Sequence, residues 1–317
     1  MFYNKFSGYL KRRYNTKVYK LPLNLPVTCP NRDGTISRKG CIFCGEEGAG
    51  FENLPNYLSV KQQLLKNSKY IGENYKSEKF IAYFQNYSNT YLPLEDFKRY
   101  INEACGDDIV AIYISTRPDC IWEDYVEYLK GIKVSKNVDI VIELGLQTVN
   151  YHTLKALNRG HLLAEFIDAV LLIKSYGLEV CTHYILDIPM DSLDDVIEGA
   201  RILSALKVEQ VKCHSLYILK DTPLGEMYQK GEIIPVSVDE YIERAVSFLE
   251  HLNPDIVIQR LIGRAPEERS LFCNWGKSWW KIHEMLEKKM KEEDRVQGKK
   301  YNYLNGKNNK MPRADGK

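Results

Sequence analysis

The chain has 317 residues, of which 44% are hydrophobic and 27% are charged, and its formal net charge is +2. This length allows a large buried core, either in one large domain or in one domain with an extension. No apolar run approaches the ~20 residues that a membrane span requires, and no signal peptide is recognisable, so the sequence indicates a soluble cytoplasmic enzyme without membrane contact.

The N-terminal segment is basic and contains interleaved tyrosines. Its first 28 residues hold six basic side chains and no acidic one, namely Lys5, Lys11, Arg12, Arg13, Lys17 and Lys20. Tyr9, Tyr14 and Tyr19 are interleaved with them. Lysine and arginine neutralise phosphates, and aromatic rings stack on bases. Residues 1–20 therefore fit a basic arm that contacts RNA, but a solvated basic segment explains the pattern equally well.

Three cysteines follow in one Gly- and Lys-rich stretch. Cys29, Cys41 and Cys44 have the spacing Cys-x11-Cys-x2-Cys. A structural zinc site closes its shell with four ligands, and a cubic iron–sulfur cluster usually takes four cysteines. Three thiolates therefore describe a cluster that leaves one iron open to a small molecule. The alternative is a zinc site completed by a remote ligand such as Cys105 or His152, while eight cysteines in this length do not indicate a disulfide scaffold.

Further along, short β-rich apolar runs alternate with segments of helical periodicity. The predicted strands are a first one around Leu21–Thr28, then Phe80–Phe84, Ile109–Ser115, Val138–Leu146, Val180–Ile188, Val211–Ile218 and Ile256–Leu261. The predicted helices include Leu162–Tyr176, Leu193–Leu206, Tyr241–Leu252 and Ser278–Met290. Such alternation predicts βαβ units and a parallel sheet. Six or seven units favour an α/β barrel or partial barrel, with its active site at the carboxyl ends of the strands.

Polar residues occur where these strands end. The clusters are Gln85–Thr90, Ser115–Asp119, Glu143 with Gln147, Asn158–His161, and His183 with Asp187. Each has an ordinary structural explanation, because Asn, Ser and Thr cap helices and a loop arginine is usually a solvated ion-pair partner. Their convergence on one barrel rim instead predicts a polar cradle for a small molecule beside the cysteine loop.

The motifs resemble those of the radical S-adenosylmethionine (SAM) superfamily. The stretches TCPNRDG, AYFQNYSNTY, ISTRPDC, ELGLQT, LNRGH and LYILKDTPL are similar to its YhcC/YtqA-type family, which is related to the radical domain of the elongator catalytic subunit. The resemblance covers roughly residues 17–275. It implies a partial (β/α)6 TIM-like barrel over residues 21–275, preceded by the basic arm of residues 1–20 and followed by a C-terminal helix and flexible tail over residues 276–317. No acetyltransferase domain follows, so acetyl transfer is not expected.

The resemblance also implies cofactors and their contacts. Cys29, Cys41 and Cys44 are expected to ligate a [4Fe-4S] cluster whose fourth iron chelates SAM. The expected SAM contacts are Phe43 near the adenine, Asn86, Tyr87 and Asn89 at the methionine amine, and Thr116, Gln147 and Arg159 at the ribose or methionine carboxylate, with Glu143 as a further candidate. His183 stands where the coproporphyrinogen-oxidase branch has an acidic ribose ligand. No residue is singled out as a hydrogen donor or acceptor for the substrate; Cys213, Tyr217 and Lys220 lie near a strand end but fit structural roles.

The leading functional prediction is a radical SAM enzyme that modifies the C5 side chain of wobble uridine in tRNA, from the carboxymethylaminomethyl to the aminomethyl form. The partners implied are tRNA and a small electron donor such as flavodoxin or ferredoxin. One alternative is a radical SAM enzyme with a small-molecule or peptide substrate, for which residues 1–20 are expected to be dispensable. The other is a non-catalytic zinc-binding RNA module.

Overall fold

The computed structural model describes residues 2–45, 48, 50 and 52–301. Its strands are β1 (Val18–Leu23), β2 (Lys79–Phe84), β3 (Ile109–Thr116), β4 (Asp139–Gln147), β5 (Glu179–Ile185), β6 (Gln210–His214), β7 (Tyr217–Leu219), β8 (Val257–Arg260) and β9 (Ser270–Cys273). Its helices are α1 (Phe6–Tyr14), α2 (Val60–Tyr75), α3 (Leu94–Ala104), α4 (Glu123–Lys136), α5 (Tyr151–Ala156), α6 (Leu163–Ser175), α7 (Leu193–Ala205), α8 (Pro223–Gln229), α9 (Val238–His251) and α10 (Trp279–Glu292). The predicted flexible tail lies, from residue 302 onward, outside the described residues.

Seven strands form one parallel sheet in the order β1-β2-β3-β4-β5-β6-β8, and β7 pairs with β9 in a small antiparallel sheet. The large sheet is strongly curled. Lys20 on edge strand β1 donates to Gln259 Oε1 on the opposite edge strand β8 at 2.7 Å, which a flat seven-stranded sheet does not permit. The sheet is therefore an open half-barrel, and the predicted partial barrel is confirmed.

Both faces of this sheet are buried, which explains the nearly continuous apolar runs of the strands. The outward face, with Ile112, Ile142 and Val180, packs beneath the surrounding helices in the main core. Burial of each such side chain contributes roughly 1.5–3 kcal/mol. The inward face carries a second cluster that includes Ile81, Tyr113, Val141 and Cys181. Each strand of the large sheet therefore points alternate side chains into the interior of the barrel.

The N-terminal segment is an integral part of the barrel. Helix α1 places Leu10 in the inward-facing apolar cluster. Arg13 forms ion pairs with Asp139 at 2.6 Å and Glu179 at 2.9 Å, at the starts of β4 and β5. Tyr14 also donates to Asp139, at 2.6 Å. The segment thus closes the amino end of the barrel instead of forming a separate arm.

This packing changes how the boundary expected at residue 20 is understood. Strand β1 begins at Val18, three residues before the expected strand, and Lys20 points into the barrel. Removal of residues 1–20 would delete α1 and half of β1. Such a truncation cannot separate an RNA substrate from a small-molecule substrate, because it removes part of the core.

Helix α10 completes the described fold on the outside of α9. Its Ile282, Leu286 and Met290 are fully buried. Beyond the helix, Arg295 pairs with Glu250 of α9 at 2.6 Å. Across the residues that the structure describes, none of the helices is both long enough and apolar enough to cross a lipid bilayer.

Candidate active site

The three cysteines lie on a loop at the carboxyl end of β1, and the backbone folds this loop back on itself. The amides of Arg32 and Ile36 donate to the carbonyls of Cys29 and Pro30, each at 2.8 Å. The Cys44 amide donates to the Cys41 carbonyl at 3.0 Å in a tight turn. Gly34 and Gly40 have φ values of 102° and 69°, in the left-handed region that favours glycine. These turns return Cys41 and Cys44 to the side of the loop where Cys29 begins it.

The cysteine loop and the LNRGH segment form one hydrogen-bonded unit. Asn31 Nδ2 donates to the Asn158 carbonyl at 2.6 Å, and Asn158 Nδ2 donates to the Gly40 carbonyl at 2.6 Å. Arg159 Nη1 lies 3.1 Å from Cys41 Sγ. Asn31 is fully buried and approaches the same sulfur at 3.4 Å. The resemblance assigned Arg159 to the ribose or methionine carboxylate of SAM, and the structure places its Nη1 beside a cysteine thiol. No role was predicted for Asn31, although it lies inside the CPNRDG motif.

Arginines surround the thiols. Arg32 Nη2 donates to the carbonyls of Cys44 and Gly45 at 2.8 and 2.7 Å, and Arg117 donates to the Arg159 carbonyl at 2.7 Å. Burial, with a smaller effect of the neighbouring Cys41, raises the pKa of Cys44 to about 11, while Arg32 and Arg159 oppose the rise. The thiols must lose protons to bind a metal, so affinity for a metal increases with pH.

The donor set of this loop fits an iron–sulfur cluster. Within the described ranges, no three Cys, His, Asp or Glu side chains converge as the ligands of a single ion do. The three thiols nevertheless lie within electrostatic reach of one another and of the arginines, which suits an anionic cluster larger than one ion. The zinc alternative has less support, because Cys105 precedes β3 at the opposite end of the sheet and its thiol donates to the Ile101 carbonyl. His152 is exposed and stacks edge-on against Tyr151.

Several buried polar atoms at the carboxyl ends of the strands have no partner among the described residues. They are Asn31 Oδ1, Asn86 Oδ1, Ser88 Oγ, Asn89 Oδ1, Arg117 Nη1 and Arg159 Nε. Buried polar groups in proteins are almost always hydrogen-bonded, so such a concentration indicates a site for a polar ligand. Asn89 Nδ2 is held by the carbonyls of Asn86 and Ser115, each at 2.8 Å, which leaves its oxygen for the ligand.

The other predicted contacts surround these atoms. Tyr87 has a φ of 53° and lies beneath the Arg32 guanidinium, and the Arg159 guanidinium lies 6.0 Å from the ring centroid of Phe43. The hydroxyls of Thr116 and Thr90 are 2.6 Å apart. Gln147, with a φ of 77°, ends β4.

Gly145 separates two of these residues. A Cβ at this position would lie 3.2 Å from Gln147 Nε2 and 3.3 Å from Arg159 Nη2. The glycine therefore gives both side chains their space, and its carbonyl accepts a hydrogen bond from Arg159 at 2.6 Å.

Glu143 and His183 lie deeper, in the interior of the barrel. Glu143 is completely buried; its carboxylate contacts Lys20 at 2.5 Å, His183 at 2.6 Å and Lys212 at 3.2 Å. Burial alone would raise the pKa of Glu143, but Lys20 and Lys212 outweigh it and hold the pKa well below its ordinary value. Both oxygens of Glu143 are thus already engaged, an arrangement that the sequence did not indicate.

We call this group the inner polar cluster: Lys20, Tyr83, Glu143, His183, Lys212, His214 and Arg260. Lys212 Nζ donates to Tyr83 Oη at 2.6 Å, and Arg260 Nη2 lies 2.5 Å from His214 Nδ1. Sequence reasoning found only Glu143 and His183. The pattern that indicates the other members is polar residues at alternate positions of otherwise apolar strands. Lys212 and His214 on β6 are an example, because residues two apart on a strand face the same side.

The open side of the half-barrel forms a cleft of about 1300 Å³ between the edges of β1 and β8. We call it the seam cleft. The basic residues that line it are Lys5, Lys11, Lys17, Lys20, Arg260 and Arg264, and Glu52 is the one acidic residue among the described lining. Aromatic rings of Tyr3, Phe6, Tyr19 and Trp279 also line it. The Arg264 guanidinium lies 4.5 Å from the ring centroid of Trp279, and Trp279 is partly exposed.

Comparisons with known proteins agree with this geometry. A family model described as the radical SAM superfamily matches residues 27–203, and a radical SAM C-terminal domain model matches residues 208–292. The uncharacterized protein YtqA of Bacillus subtilis is 32% identical over 95% of this chain and 94% of its own length.

More distant similarity extends to proteins of known name. A tRNA uridine(34) acetyltransferase of Methanocaldococcus jannaschii is 28% identical over 49% of this chain and 28% of its own length. The solved structure of an N-terminally truncated Elp3 from Methanocaldococcus infernus superposes with a TM-score of 0.66 at 17% identity. That match covers 88% of this chain and 64% of the Elp3 chain, and it shows a shared fold.

Proposed function

Because the chain belongs to the radical SAM superfamily, in the family of YtqA and its relatives, we propose that it is a tRNA-modifying enzyme that acts on the C5 side chain of wobble uridine. The family uses a [4Fe-4S] cluster and SAM. The specific reaction proposed is the maturation of a carboxymethylaminomethyl side chain to the aminomethyl form. A small electron donor of the flavodoxin or ferredoxin type would supply the electron.

Different residues at the carboxyl ends of the strands would hold the cluster and SAM. Cys29, Cys41 and Cys44 would hold the cluster, with Arg159 and Asn31 directed at the Cys41 sulfur. When bound, the cluster and SAM supply a 5′-deoxyadenosyl radical that abstracts a hydrogen atom from the substrate. The oxygens of Asn86 and Asn89, buried without partners among the described residues, are suited to receive the methionine amine of SAM.

The seam cleft is the observation that carries the proposal of an RNA substrate. The chain as a whole has a formal net charge of only +2, yet the described lining of the cleft has six basic side chains against one acidic side chain. Of the six, Lys5 and Lys20 are paired with Glu287 and Glu143, which lie outside that lining. Basic side chains neutralise phosphates, and exposed rings such as Trp279 stack on unpaired bases. A base in a single-stranded loop that enters this cleft reaches the inner face of the barrel. The similarity to tRNA uridine(34) acetyltransferases supports the same substrate class.

Anaerobic reconstitution tests the radical chemistry. The protein loaded with iron and sulfide, then supplied with SAM and a reductant, should release 5′-deoxyadenosine, and Cys41→Ala should abolish the release. Cys105→Ala is the matched control, since Cys105 lies at the other end of the sheet and should retain activity. A colourless protein that binds zinc and forms no 5′-deoxyadenosine would contradict the proposal.

Nucleoside analysis of tRNA tests the substrate. A strain that lacks the protein should accumulate the carboxymethylaminomethyl form of wobble uridine at the expense of the aminomethyl form. A gene copy with wild-type sequence should restore the ratio, whereas a copy with Cys41→Ala should not. Wobble uridines identical in the two strains would exclude this substrate and favour a small-molecule or peptide substrate.

A further inference from the structure

The inner polar cluster has more positive than negative charge. Three basic side chains, Lys20, Lys212 and Arg260, face one carboxylate, Glu143, which Lys20 and Lys212 already contact. Burial lowers the pKa of His183 to about 4, so this ring adds no positive charge at neutral pH. Burial likewise lowers the pKa of Lys212 to about 7, against the effect of Glu143. Even when Lys212 is neutral, Lys20 and Arg260 outnumber Glu143.

Arg260 is the member of the cluster that lacks an anionic partner. Its Nη2 contacts the ring of His214 at 2.5 Å, and no carboxylate of the described residues lies within ion-pair distance of it. Its Nε is buried without a hydrogen-bond partner in the described part of the chain. A guanidinium whose Nε is buried without a hydrogen-bond partner and that has no anion nearby is destabilising. An anion that enters from outside would supply the missing partner of the Arg260 guanidinium and so bind favourably.

An anion reaches this position through the seam cleft. Arg260 and Lys20 belong to both the inner polar cluster and the lining of the cleft. Lys212 is paired in register with Arg260 on the neighbouring strand and with His183 on the other side. The basic groups therefore lie side by side on the inner wall, where a substrate group that passes between β1 and β8 arrives.

We propose that Arg260, together with Lys212, binds a carboxylate carried by the side chain of the modified base. This inference rests on the proposed function and names the substrate group that its site recognises. A planar guanidinium binds a carboxylate by donating two parallel hydrogen bonds, one from Nε and one from Nη. The nearly buried position of Lys212 suits a small terminal group, whereas a phosphodiester has a ribose on each side and remains at the cleft entrance.

The experiment compares two RNA hairpins that differ in one group. Both are anticodon stem-loops with a carboxymethylaminomethyl wobble uridine, but in one the terminal carboxylate is converted to a neutral carboxamide. Wild type should turn over the acid with a kcat/KM about 10- to 100-fold above that of the amide, because a charge-assisted hydrogen bond is worth about that factor. Arg260→Gln should lower turnover of the acid by this factor and leave the amide nearly unchanged, so that the preference disappears.

The matched control is Arg264→Gln, since Arg264 lines the same cleft outside the inner polar cluster. This variant should lower kcat/KM for the two hairpins by the same factor and so preserve the preference for the carboxylate form. Two other anions compete for Arg260. If a backbone phosphate binds there, Arg260→Gln lowers kcat/KM for both hairpins by the same factor. If the SAM carboxylate binds there, Arg260→Gln weakens the binding of SAM in the absence of RNA. Either result would overturn the inference.

The two proposals fail in distinguishable ways. Turnover of both hairpins with equal kcat/KM would overturn the carboxylate site and leave the proposed function intact. Release of 5′-deoxyadenosine without turnover of either hairpin would overturn the proposed substrate. In that case the carboxylate site is tested by the equilibrium Kd values of wild type for the two hairpins. Tighter binding of the carboxylate hairpin supports the site, and equal Kd values reject it. The wild-type comparison needs no variant, so it stands even if Arg260→Gln fails to fold.

Discussion

Arg159 joins the cysteine loop to the rest of the rim. Its Nη1 lies 3.1 Å from Cys41 Sγ, and its Nη2 donates to the Gly145 carbonyl at 2.6 Å. Hydrogen bonds and positive charge near the sulfurs stabilise the reduced form of an iron–sulfur cluster and so raise its reduction potential. We therefore propose that Arg159 both positions the Cys41 sulfur and tunes the reduction potential of the cluster.

Arg159→Gln should therefore make the reconstituted cluster harder to reduce. We expect the midpoint potential to become more negative by on the order of tens of mV, since a tenfold change in a one-electron equilibrium is about 59 mV. Potentiometric titration followed by electron paramagnetic resonance measures the shift without turnover. Arg38→Gln, an exposed substitution on the same loop, is the control and should leave the potential unchanged. Equal potentials in wild type and Arg159→Gln would argue against a contact with the cluster.

Asp187 makes stability depend on pH. It follows β5, its Oδ1 accepts from the Leu216 amide at 2.7 Å, and its Oδ2 is buried without a partner among the described residues. Burial raises its pKa from 3.8 to about 7. The folded state therefore binds more protons than the unfolded state between about pH 4 and pH 7, so this group's contribution to stability is lost as the pH rises through that window.

Asp187→Asn removes the charge and keeps the oxygen that accepts from Leu216. Wild type should lose stability as the pH rises, and the variant should not. The difference in unfolding free energy between the variant and wild type should therefore grow by on the order of 2–3 kcal/mol from pH 5 to pH 8, at about 1.4 kcal/mol for each pKa unit. Chemical denaturation of the cofactor-free protein at the two pH values measures the difference. Asp194→Asn, at an exposed position of α7, should show no comparable change. A pH-independent difference between Asp187→Asn and wild type would rule out ionisation of Asp187 as the cause.

At the scale of elements, α1 shows that a local pattern does not reveal how a segment packs. Six basic residues in 28 read as a solvated or RNA-binding segment, because nothing in the local sequence shows that Asp139 and Glu179 lie opposite Arg13. Those partners are more than 100 residues away along the chain, at the starts of β4 and β5. By contrast, β2 through β5 were predicted to within a few residues, since their apolar runs record burial on both faces of a parallel sheet.

Leu10→Ala tests whether α1 is structural. Leu10 is almost fully buried and lies in the inward-facing cluster with Val18 and Ile81. Its truncation should cost about 2–5 kcal/mol of unfolding free energy, the range for a large aliphatic side chain cut to alanine in a core. Lys11→Ala, at the adjacent exposed position of the same helix, should change stability by less than about 0.5 kcal/mol. Equal effects of the two variants on the denaturation midpoint would mean that α1 does not pack in solution as described.

The same distinction between local and long-range information applies to the candidate site. The CPNRDG and LNRGH motifs are short, so their residues could be singled out from the sequence, and the structure brings Asn31, Asn158 and Arg159 together in one hydrogen-bonded unit. The inner polar cluster is assembled from β1, β2, β4, β5, β6 and β8. Its seven residues are one or two positions on each of these strands, and only the curl of the sheet brings Lys20 on β1 beside Gln259 and Arg260 on β8.

At the scale of the whole molecule, the barrel leaves one side open, and charge is concentrated there. If the seam cleft receives RNA, basic residues along it should release counterions on binding, and the logarithm of affinity should fall with the logarithm of salt concentration by about 0.7 for each single-strand phosphate neutralised. Lys11 and Lys17 line the cleft and are exposed. They are therefore available for phosphates without disturbing the core.

The double variant Lys11→Gln/Lys17→Gln should lower affinity for an anticodon stem-loop and reduce the salt slope by about 1.4, from two lost contacts. The matched control is Lys130→Gln/Lys136→Gln, which removes the same charge from α4, at exposed positions on the helical side of the barrel away from the seam. Fluorescence anisotropy of a labelled stem-loop across a salt series measures both slopes. If the two double variants lose affinity equally, net charge rather than the cleft attracts the RNA. A reduced slope confined to the Lys11 and Lys17 variant locates the RNA at the open seam, through which a base still attached to its strand can reach the inner wall of the half-barrel.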